Sequence, residues 1–291
     1  MAQIANKCPV CNGRRCSRSY VIRGYTYYSC NSCGMLYISD RKKASNPDNE
    51  QYDNDYFKDT LKEGMSGYMD YAKQSRPLRM NFKNLISRIY PHLSPDTSKS
   101  VLDVGCAYGF FLDEMRKIGM SVHGLDLSEN AIQWMEKELG IKGTVGLSFD
   151  APDGPFDIVT AIEVIEHAPD PHSFLDDLYK RLRKDGLLVI RTGANDTTAA
   201  RLFGKRWWYL NPPDHCAIFS RFALEKLISD RGFALLEHSI IPFDRVGLNN
   251  MFLKLARMFE SERLGRLASK LPALVVPVPH YSTQLLIARK R

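Results

Sequence analysis

The arrangement of apolar and polar positions is most regular in the middle of the chain, where short apolar runs alternate with runs at helical spacing. Residues 101–104 form an apolar run interrupted only by Asp103, which predicts a buried strand. Gly105 and Gly109 follow, and the next apolar side chains recur at three- and four-residue intervals, which predicts a helix. A strand, a glycine turn and a helix in this order present backbone N–H groups to a ligand, and they predict an α/β sheet.

The same alternation continues along the rest of the chain. A second strand is predicted to end at Asp126, with Ser128 as the N-cap of the helix that follows. Another strand is predicted at 156–162. The last two are predicted at 233–241 and 282–288, separated by about forty residues, which is long for a connection within a domain.

The glycine turn decides which ligand the sheet is expected to bind. The dinucleotide fingerprint G-x-G-x-x-G is missed, because three residues separate Gly105 from Gly109. Together with Asp103, the turn resembles motif I of the class I S-adenosylmethionine-dependent methyltransferases. Ala107 replaces the middle glycine of that motif, and we expect it to have a negative φ, which alanine adopts without strain.

Three later features resemble the same superfamily in the same order: the strand end at Asp126, the motif IV-like segment 163–171, and the helix end, glycine and strand at 183–190. The resemblance implies a Rossmann-like seven-stranded sheet with an antiparallel final pair of strands, and S-adenosylmethionine as cofactor. Asp126 is implied to accept the ribose hydroxyls. The other residues assigned to the cofactor are Asp103, Gly105, Cys106, Ala107, Gly109, Phe110, Leu127, Asp150, Glu163, Tyr56 and Tyr71.

Three of these assignments have an open alternative. Tyr56 and Tyr71 precede motif I, in a segment that often lies over the cofactor in this superfamily, and an aromatic face attracts a sulfonium cation. The alternative is that the tyrosines pack a helix on the sheet. Asp150 is expected at the adenine amine, but it is equally compatible with an ordinary acidic loop residue.

Glu163, Glu166 and His167 follow a predicted strand end, where open α/β sheets bind their ligands. Histidine titrates near neutrality, so His167 is a candidate general base for an acceptor hydroxyl or activated carbon. The Glu-x-x-Glu-His pattern also resembles the ubiquinone-pathway O-methyltransferases, which implies a divalent metal at these three residues as a second interpretation. Hydrogen bonds that only fix the loop are the third.

His215 is the alternative base. It belongs to an Asp-His and Phe-Ser pattern that resembles the acceptor-side loop of small-molecule methyltransferases, including the zinc-bearing C-methyltransferases of deoxysugars. Anchoring of the loop is an equally compatible role for His215. Ser220 is the predicted N-cap of the next helix. An apolar wall for the acceptor is predicted at Trp207, Trp208 and Tyr209.

Four cysteines near the N-terminus indicate a metal site. Cys8 and Cys11 form one C-x-x-C pair and Cys30 and Cys33 another, separated by eighteen residues, a spacing typical of zinc. The strand-forming residues between the pairs are broken by Gly24, which predicts a hairpin and therefore a zinc ribbon. We expect its role to be chiefly structural, with a share in shaping the acceptor pocket.

Composition adds the broad class and a charge asymmetry. The chain has 44% hydrophobic and 25% charged residues and lacks both a membrane-length apolar run and a secretory leader, so we expect a cytosolic protein. Of its net charge of +7, much lies after residue 241, where nine Lys and Arg face three Asp and Glu. A basic amphipathic helix at 250–271 is predicted there, which would contact anionic lipid or a protein, or pack as a lid.

These features predict three regions: a zinc ribbon at 1–40, a linker and helical cofactor cover at 41–98, and a methyltransferase domain at 99–291 with a basic insert at about 245–280. The predicted function is O- or C-methylation of a small molecule, such as a sugar, polyketide, quinone-like or lipid-linked intermediate. An RNA methyltransferase is the enzymatic alternative, given the ribbon and a pI near 9.0. A cofactor-binding partner subunit is the non-enzymatic one.

Overall fold

The computed structural model describes residues 7–39, 71–93, 99–259, 261–272 and 274–291. In chain order, its strands and α-helices are β1 (Cys16–Ile22), β2 (Tyr25–Cys30), β3 (Leu36–Ile38), α1 (Ser75–Ile89), β4 (Ser100–Val104), α2 (Phe110–Lys117), β5 (Ser121–Asp126), α3 (Glu129–Leu139), β6 (Gly143–Val145), β7 (Phe156–Ile162), α4 (Pro171–Arg181), β8 (Leu182–Gly193), α5 (Thr198–Phe203), β9 (Ala217–Ile218), α6 (Arg221–Ser229), β10 (Phe233–Gly247), α7 (Leu248–Met258), α8 (Glu262–Ala268) and β11 (Val275–Lys290).

The main sheet has seven strands in the order β10-β11-β8-β7-β4-β5-β6. The pairs β4–β5, β5–β6 and β7–β8 are parallel, and β11 is antiparallel to β8. Parallel strands flanked by helices are buried on both faces, which explains why residues 101–104 of β4 are all buried. The predicted α/β fold with a seven-stranded sheet is confirmed.

The chain divides into two compact units. The first, which we call the ribbon unit, contains Met1–Asp48, Pro152–Ile241 and Tyr281–Arg291. The second, which we call the loop unit, contains Asn49–Ala151 and Pro242–His280. The cysteine motif and β7 and β8 belong to the ribbon unit, and the glycine turn with β4, β5 and β6 belongs to the loop unit.

The N-terminal segment folds as the predicted hairpin. β1 and β2 pair antiparallel up to Ile22 and Tyr25, so the turn between them has two residues. These are Arg23, with φ of +48°, and Gly24, with φ of +80°, and two such residues make the turn whose twist matches a hairpin. β3 pairs with β2, and β9 pairs with β3, so this small sheet has the order β1-β2-β3-β9.

The two predicted helix caps are confirmed. Ser128 precedes α3, and its hydroxyl accepts a hydrogen bond from the N–H of Ala131. Ser220 precedes α6 and accepts one from the N–H of Ala223 in the same way. Each cap satisfies an N–H that the first turn of a helix leaves without an internal partner.

The segment after Ile241 differs from the prediction. β10 continues to Gly247 and β11 begins at Val275, so the strands are longer and their connection shorter than the sequence pattern indicates. Pro277 and Pro279 lie within β11, where the fixed φ of proline near −65° is compatible with extended chain as long as no ladder N–H is needed.

The insert contains two helices instead of the single basic helix predicted at 250–271. α7 ends at Met258, and Ser261 caps α8 by accepting a hydrogen bond from the N–H of Leu264. The predicted basic residues are exposed at Lys254 of α7, at Arg263 and Arg266 of α8, and at Lys270, two residues after α8 ends. Among the residues that the structure describes, no helix combines the length and apolarity needed to cross a bilayer.

Candidate cofactor loop and candidate acceptor site

The glycine turn connects β4 to α2 through three residues in the left-handed region. Gly105 and Gly109 have φ of +76° and +70°, and Ala107 has φ of +48°. The prediction of a negative φ for Ala107 is therefore wrong. A left-handed residue with a Cβ costs roughly 1–2 kcal/mol. That cost is offset by a hydrogen bond of 2.8 Å from the Ala107 N–H to the Asp126 carboxylate.

The turn is packed so closely that only glycine fits at its last position. A Cβ on Gly109 would lie 2.4 Å from the Sδ of Met135, which belongs to α3. The neighbouring Cys106 is buried, and burial raises the pKa of its thiol well above the usual range. Cys106 therefore fills space as a neutral thiol.

Asp126 fixes the turn from the end of β5. Its two carboxylate oxygens accept the N–H of Ala107 at 2.8 Å and the N–H of Ser128 at 2.9 Å. Burial raises its pKa, while these hydrogen bonds oppose the rise. Each carboxylate oxygen has a second lone pair, so the predicted ribose contact is compatible with this role.

The remaining cofactor candidates of the loop unit occupy different environments. Asp103 is buried within β4, and Leu127, which follows Asp126, is half-buried. Asp150 is exposed and accepts the N–H of Leu147 at 2.8 Å, which is the bond of an ordinary turn. Its predicted contact with adenine stays a prediction. Tyr56 lies outside the described residues.

Tyr71 belongs to an aromatic cluster at the start of α2. Its ring stacks on Phe110 with centroids 5.7 Å apart, and Tyr108 stacks on Trp134 at 4.5 Å. Arg79 lies over the Phe110 ring at 5.0 Å. The packing role considered for Tyr71 therefore accounts for its described contacts, and contact with the cofactor stays a prediction. Sequence reasoning missed Tyr108, which lies between Ala107 and Gly109, and Trp134, which lies within α3.

In the ribbon unit, Glu163 lies directly after β7 with φ of +57°, a strained conformation for a residue with a side chain. Its carboxylate accepts a short hydrogen bond from the hydroxyl of Tyr209. Arg191 of β8 places its Nε 3.2 Å from the other carboxylate oxygen. The sequence singled out Tyr209 only as an apolar wall and missed Arg191.

Glu166 is fully buried within the motif IV-like segment 163–171. One carboxylate oxygen accepts a hydrogen bond of 2.7 Å from Thr192, and the other has no hydrogen-bond partner among the described residues. Burial, assisted by the charge of Glu163, raises the pKa of Glu166 well above its usual range. A buried carboxyl oxygen without a partner is costly, and it is typical of a site that binds something.

His167 and His215 lie edge to face, with ring centroids 4.9 Å apart. Their Nδ1 atoms lie 3.0 Å and 2.9 Å from the backbone carbonyls of Asp214 and Tyr209. A carbonyl only accepts, so each Nδ1 carries the proton and each Nε2 of the neutral ring keeps its lone pair. Burial lowers the pKa of both imidazoles, that of His167 to about 3.

The four cysteines of the ribbon converge. The Sγ atoms of Cys8 and Cys33 lie 3.5 Å apart, as do those of Cys11 and Cys30, and all four lie within 4.8 Å of one another. Thiolates around one zinc ion at about 2.3 Å are separated by roughly 3.8 Å in a tetrahedron. The cysteine cluster therefore has the donor set and the size of a zinc site.

The geometry agrees with comparisons to known proteins. The profile of a family described as "Methyltransferase domain" matches residues 77–238, more than half of the chain. The chain belongs to this family. Its solved relatives have the same class I fold: a candidate methyltransferase from Bacillus halodurans C-125 is 19% identical with a TM-score of 0.52, covering 72% of this chain and 99% of that one. A magnesium protoporphyrin IX methyltransferase from Synechocystis PCC 6803, solved with bound SAH, is 13% identical with a TM-score of 0.52, covering 78% and 90%.

Curated relatives of this methyltransferase domain are named ubiquinone biosynthesis O-methyltransferases. That of Albidiferax ferrireducens is 34% identical over 109 residues, which are 34% of this chain and 40% of the relative. That of Vibrio cholerae is 30% identical over 136 residues, 44% and 53% of the two chains. The chain thus spans about half the length of the curated relatives it matches.

The methyltransferase domain groups its candidate acceptor residues differently from the sequence prediction. Ligand atoms of Glu166, His167 and His215 lie within 4.8 Å of one another. The predicted metal set had Glu163 in place of His215. Glu163 is instead engaged by Arg191 and Tyr209. His215 comes from a distant loop, so local spacing gives no signal that it joins Glu166.

Proposed function

We propose that the protein transfers the methyl group of S-adenosylmethionine to an oxygen of a small, quinone-like acceptor. Membership of the methyltransferase family supports the reaction, and the names of the curated relatives support O-methylation. The observation that carries the proposal is the pair of half-buried neutral imidazoles beside Glu166, each with its Nδ1 proton already donated. Such a pair offers two lone pairs for an acidic hydroxyl.

For the cofactor, we assign the turn from Gly105 to Gly109 to the amino-acid end and Asp126 to the ribose. The turn leads directly into α2, whose first-turn N–H groups have no partner within the helix and whose dipole favours negative charge. Calorimetry with S-adenosylhomocysteine tests this assignment. We expect binding by the intact protein and at least about tenfold weaker binding by Asp126→Ala, since a bidentate carboxylate contact is worth over 1 kcal/mol. No binding by the intact protein would defeat the assignment.

For the acceptor, we assign the proton to Nε2 of His215. The acceptor oxygen attacks the methyl carbon in line with the sulfur, the O–C bond forms, and the C–S bond breaks to give S-adenosylhomocysteine. His167, with a pKa of about 3, is a weak base near neutrality. Burial also lowers the pKa of His215, but the charges of Asp214 and Glu163 oppose that effect.

A divalent cation is the second interpretation of the same cluster. Glu166 provides a buried oxygen without a hydrogen-bond partner among the described residues, and the two Nε2 atoms complete a plausible donor set. Both imidazoles are oriented by backbone carbonyls, as metal-binding histidines usually are. When bound, the cation would lower the pKa of an acceptor hydroxyl. Dependence of the reaction on added Mg²⁺ or Mn²⁺, lost in Glu166→Gln, would favour this interpretation.

The experiment that tests the function uses purified protein and labelled S-adenosylmethionine with cell extract divided into small-molecule, RNA and protein fractions. We expect label in the small-molecule fraction, reduced at least about tenfold in His215→Gln. His92→Gln, at the end of α1, is the matched control. Label in RNA alone would establish the RNA methyltransferase instead. No label in any fraction, with cofactor binding intact, would leave the partner-subunit interpretation.

The exposed basic face of α8 supports a weaker proposal, contact with an anionic membrane surface. Arg263, Arg266 and Leu267 of α8 are exposed, as is Lys270 just after the helix, while Gly265 and Ala268 are buried. Such a face binds anionic lipid through charge and a little apolar area. Sedimentation with vesicles containing phosphatidylglycerol should show binding that high salt and a double substitution of Arg263 and Arg266 by Glu both abolish. Equal binding to neutral vesicles would contradict the proposal.

A further inference from the structure

We propose that the cysteine ribbon positions the two imidazoles of the candidate acceptor site, and that the hydroxyl of Tyr27 is the main contact through which it does so. This inference rests on the proposed function for its consequence in catalysis. The contacts themselves all lie within the ribbon unit. Tyr27 is thus a positioning residue, since its hydroxyl contacts the backbone of the loop and not a reacting group.

The first step is that the ribbon and the loop bearing His215 share a sheet. β9 begins two residues after His215 and pairs antiparallel with β3 of the ribbon, with Leu36 opposite Ile218 and Tyr37 opposite Ala217. The N–H of Ile38 donates a hydrogen bond of 3.0 Å to the carbonyl of Cys216. The backbone next to His215 is therefore held by the ribbon's own strand.

The second step is the contact of Tyr27. Its side chain is completely buried, and its hydroxyl donates a hydrogen bond of 2.7 Å to the carbonyl of His215. Burial raises the pKa of Tyr27 well above its usual range, so the hydroxyl remains a donor. Since the His215 ring is held through Nδ1 by the carbonyl of Tyr209, its peptide and its imidazole are both fixed.

The third step links the peptide that Tyr27 holds to His167. The carbonyl that orients its ring belongs to Asp214, the residue directly before His215. The thiol of Cys216, directly after His215, lies 3.6 Å from the carbonyls of Glu166 and His167. Movement of the peptide that Tyr27 holds would therefore displace the partners of both imidazoles.

Further contacts tie the ends of the ribbon to the same region. Arg23, in the hairpin turn, donates a hydrogen bond of 3.0 Å to the side-chain oxygen of Asn211. Asn211 in turn donates one of 3.0 Å to the Asp214 carboxylate. At the cysteine cluster, the Ser220 hydroxyl donates one of 2.5 Å to the carbonyl of Cys33. A ribbon that has lost its cysteine cluster would lose this alignment.

The test uses full-length protein with its native zinc content and ¹³C-labelled histidine, and compares Tyr27→Phe with Tyr28→Phe. Tyr28 is the next residue of β2, so its side chain points to the opposite face of that strand. The imidazole resonances are assigned with His167→Gln and His215→Gln. We expect the resonances of His167 and His215 to move in Tyr27→Phe and to stay in Tyr28→Phe, with those of His123 and His238 unchanged in both.

Two further measurements keep the test decisive. Unchanged resonances of His123 and His238, together with full zinc content, show that Tyr27→Phe is folded. If that variant fails to fold, Arg23→Ala replaces it, and the same two resonances should move by a smaller amount. If the variant is folded and its His167 and His215 resonances coincide with those of the unsubstituted protein, the proposal is overturned. Calorimetry with S-adenosylhomocysteine separates this outcome from failure of the proposed function, because loss of cofactor binding by the unsubstituted protein would defeat only the latter.

Discussion

The loop unit and the ribbon unit prepare their candidate sites in different ways. In the loop unit, the candidate site consists mainly of backbone groups. They lie in one short segment, the turn from Gly105 to Gly109, which Asp126 at the end of β5 fixes. In the ribbon unit, the site consists of side chains from the turn after β7, from β8, and from the loop before β9. A backbone site is readable from a local motif, whereas a side-chain site depends on which distant segments the topology brings together.

The units also treat charge differently. Nη1 of Arg79 lies 2.6 Å from a carboxylate oxygen of Asp113 and 2.6 Å from one of Glu114, both in α2. Nζ of Lys117 lies 2.8 Å from both carboxylates. Glu166 of the ribbon unit is buried and depends on one neutral hydroxyl. Paired charges on a helix stabilise the fold. A buried carboxyl without full hydrogen bonding instead lowers the stability of the protein at its site.

If the cysteine cluster binds zinc as we expect, the loss of that zinc should have the largest effect, and it should separate the two units. Chelation, or Cys33→Ser, should empty the cysteine cluster and destabilise the ribbon by more than about 3 kcal/mol, because binding of a structural zinc is coupled to folding. Binding of S-adenosylhomocysteine, assigned to the loop unit, should persist. Metal analysis and calorimetry measure the two effects.

Cys16→Ser is the matched control for that experiment. Cys16 is also a free thiol of the ribbon but lies outside the converged set of four. The variant Cys16→Ser should bind as much zinc as the unsubstituted protein. If Cys33→Ser kept its zinc, or if chelation abolished binding of S-adenosylhomocysteine as completely as it emptied the cluster, the contrast between the units would fail.

The second effect is at Gly109, which tests the backbone nature of the cofactor loop. Gly109→Ala should cost about 3 kcal/mol, because its Cβ would meet Met135 Sδ at 2.4 Å and its φ is +70°. Gly119 has a φ of +88°, but a Cβ added there would meet no atom within 4 Å. Gly119→Ala should therefore lose only the free energy of backbone strain, roughly 1–2 kcal/mol. Urea unfolding measures both. Equal losses would show that close packing is unimportant at the loop.

The fold was predictable where pattern and local chemistry agree. The strand, glycine turn and helix around Gly105, the caps at Ser128 and Ser220, and the hairpin at Gly24 all depend on neighbouring residues. The ends of β10 and β11 were not predictable, because Pro277 and Pro279 interrupt the strand pattern and the pairing partner of an edge segment leaves no local trace. The split between α7 and α8 depends on a serine cap that the apolar spacing conceals.

The candidate site was predictable only in its residue types. Glu163, Glu166 and His167 could be selected because open α/β sheets bind ligands at the carboxyl ends of their strands. His215 could be selected because its loop resembles the acceptor-side loop of small-molecule methyltransferases. Their grouping could not, because Arg191 and Tyr209 draw Glu163 away through contacts between distant segments. The contact of Tyr27 with His215 is likewise invisible in the sequence, since it joins a strand of the ribbon to a loop far along the chain.

The third effect is the acid sensitivity of the ion pairs in the loop unit. Burial raises the pKa of Asp113, but hydrogen bonds from Lys117 and Arg79 outweigh burial and lower it to about 2. A carboxyl with a lowered folded-state pKa stabilises the protein above its unfolded value, near 3.9. That contribution is lost as the pH falls towards about 2.

Asp113→Asn should therefore cost about 1–2 kcal/mol at neutral pH, after discounting for the exposed Lys117, and much less near pH 2. Unfolding by urea at a series of pH values measures this difference. Asp185→Asn, at an exposed position of β8 in the ribbon unit, is the control and should leave the dependence of stability on pH unchanged. A constant cost of Asp113→Asn at every pH would show that its charge does not contribute.

The smallest expected effect is a gain in stability at Ala107, the residue whose φ was predicted wrongly from the sequence. Ala107→Gly should stabilise the protein by up to about 1 kcal/mol, because relief of the left-handed strain exceeds the extra entropy of the unfolded chain. Ala131→Gly, within α3, is the matched control and should lose about 1 kcal/mol. Thermal unfolding should give shifts of opposite sign for the two variants. Destabilisation by Ala107→Gly would mean that the methyl group of Ala107 contributes packing that outweighs its strain, and the loop would then depend on side chains as the ribbon unit does.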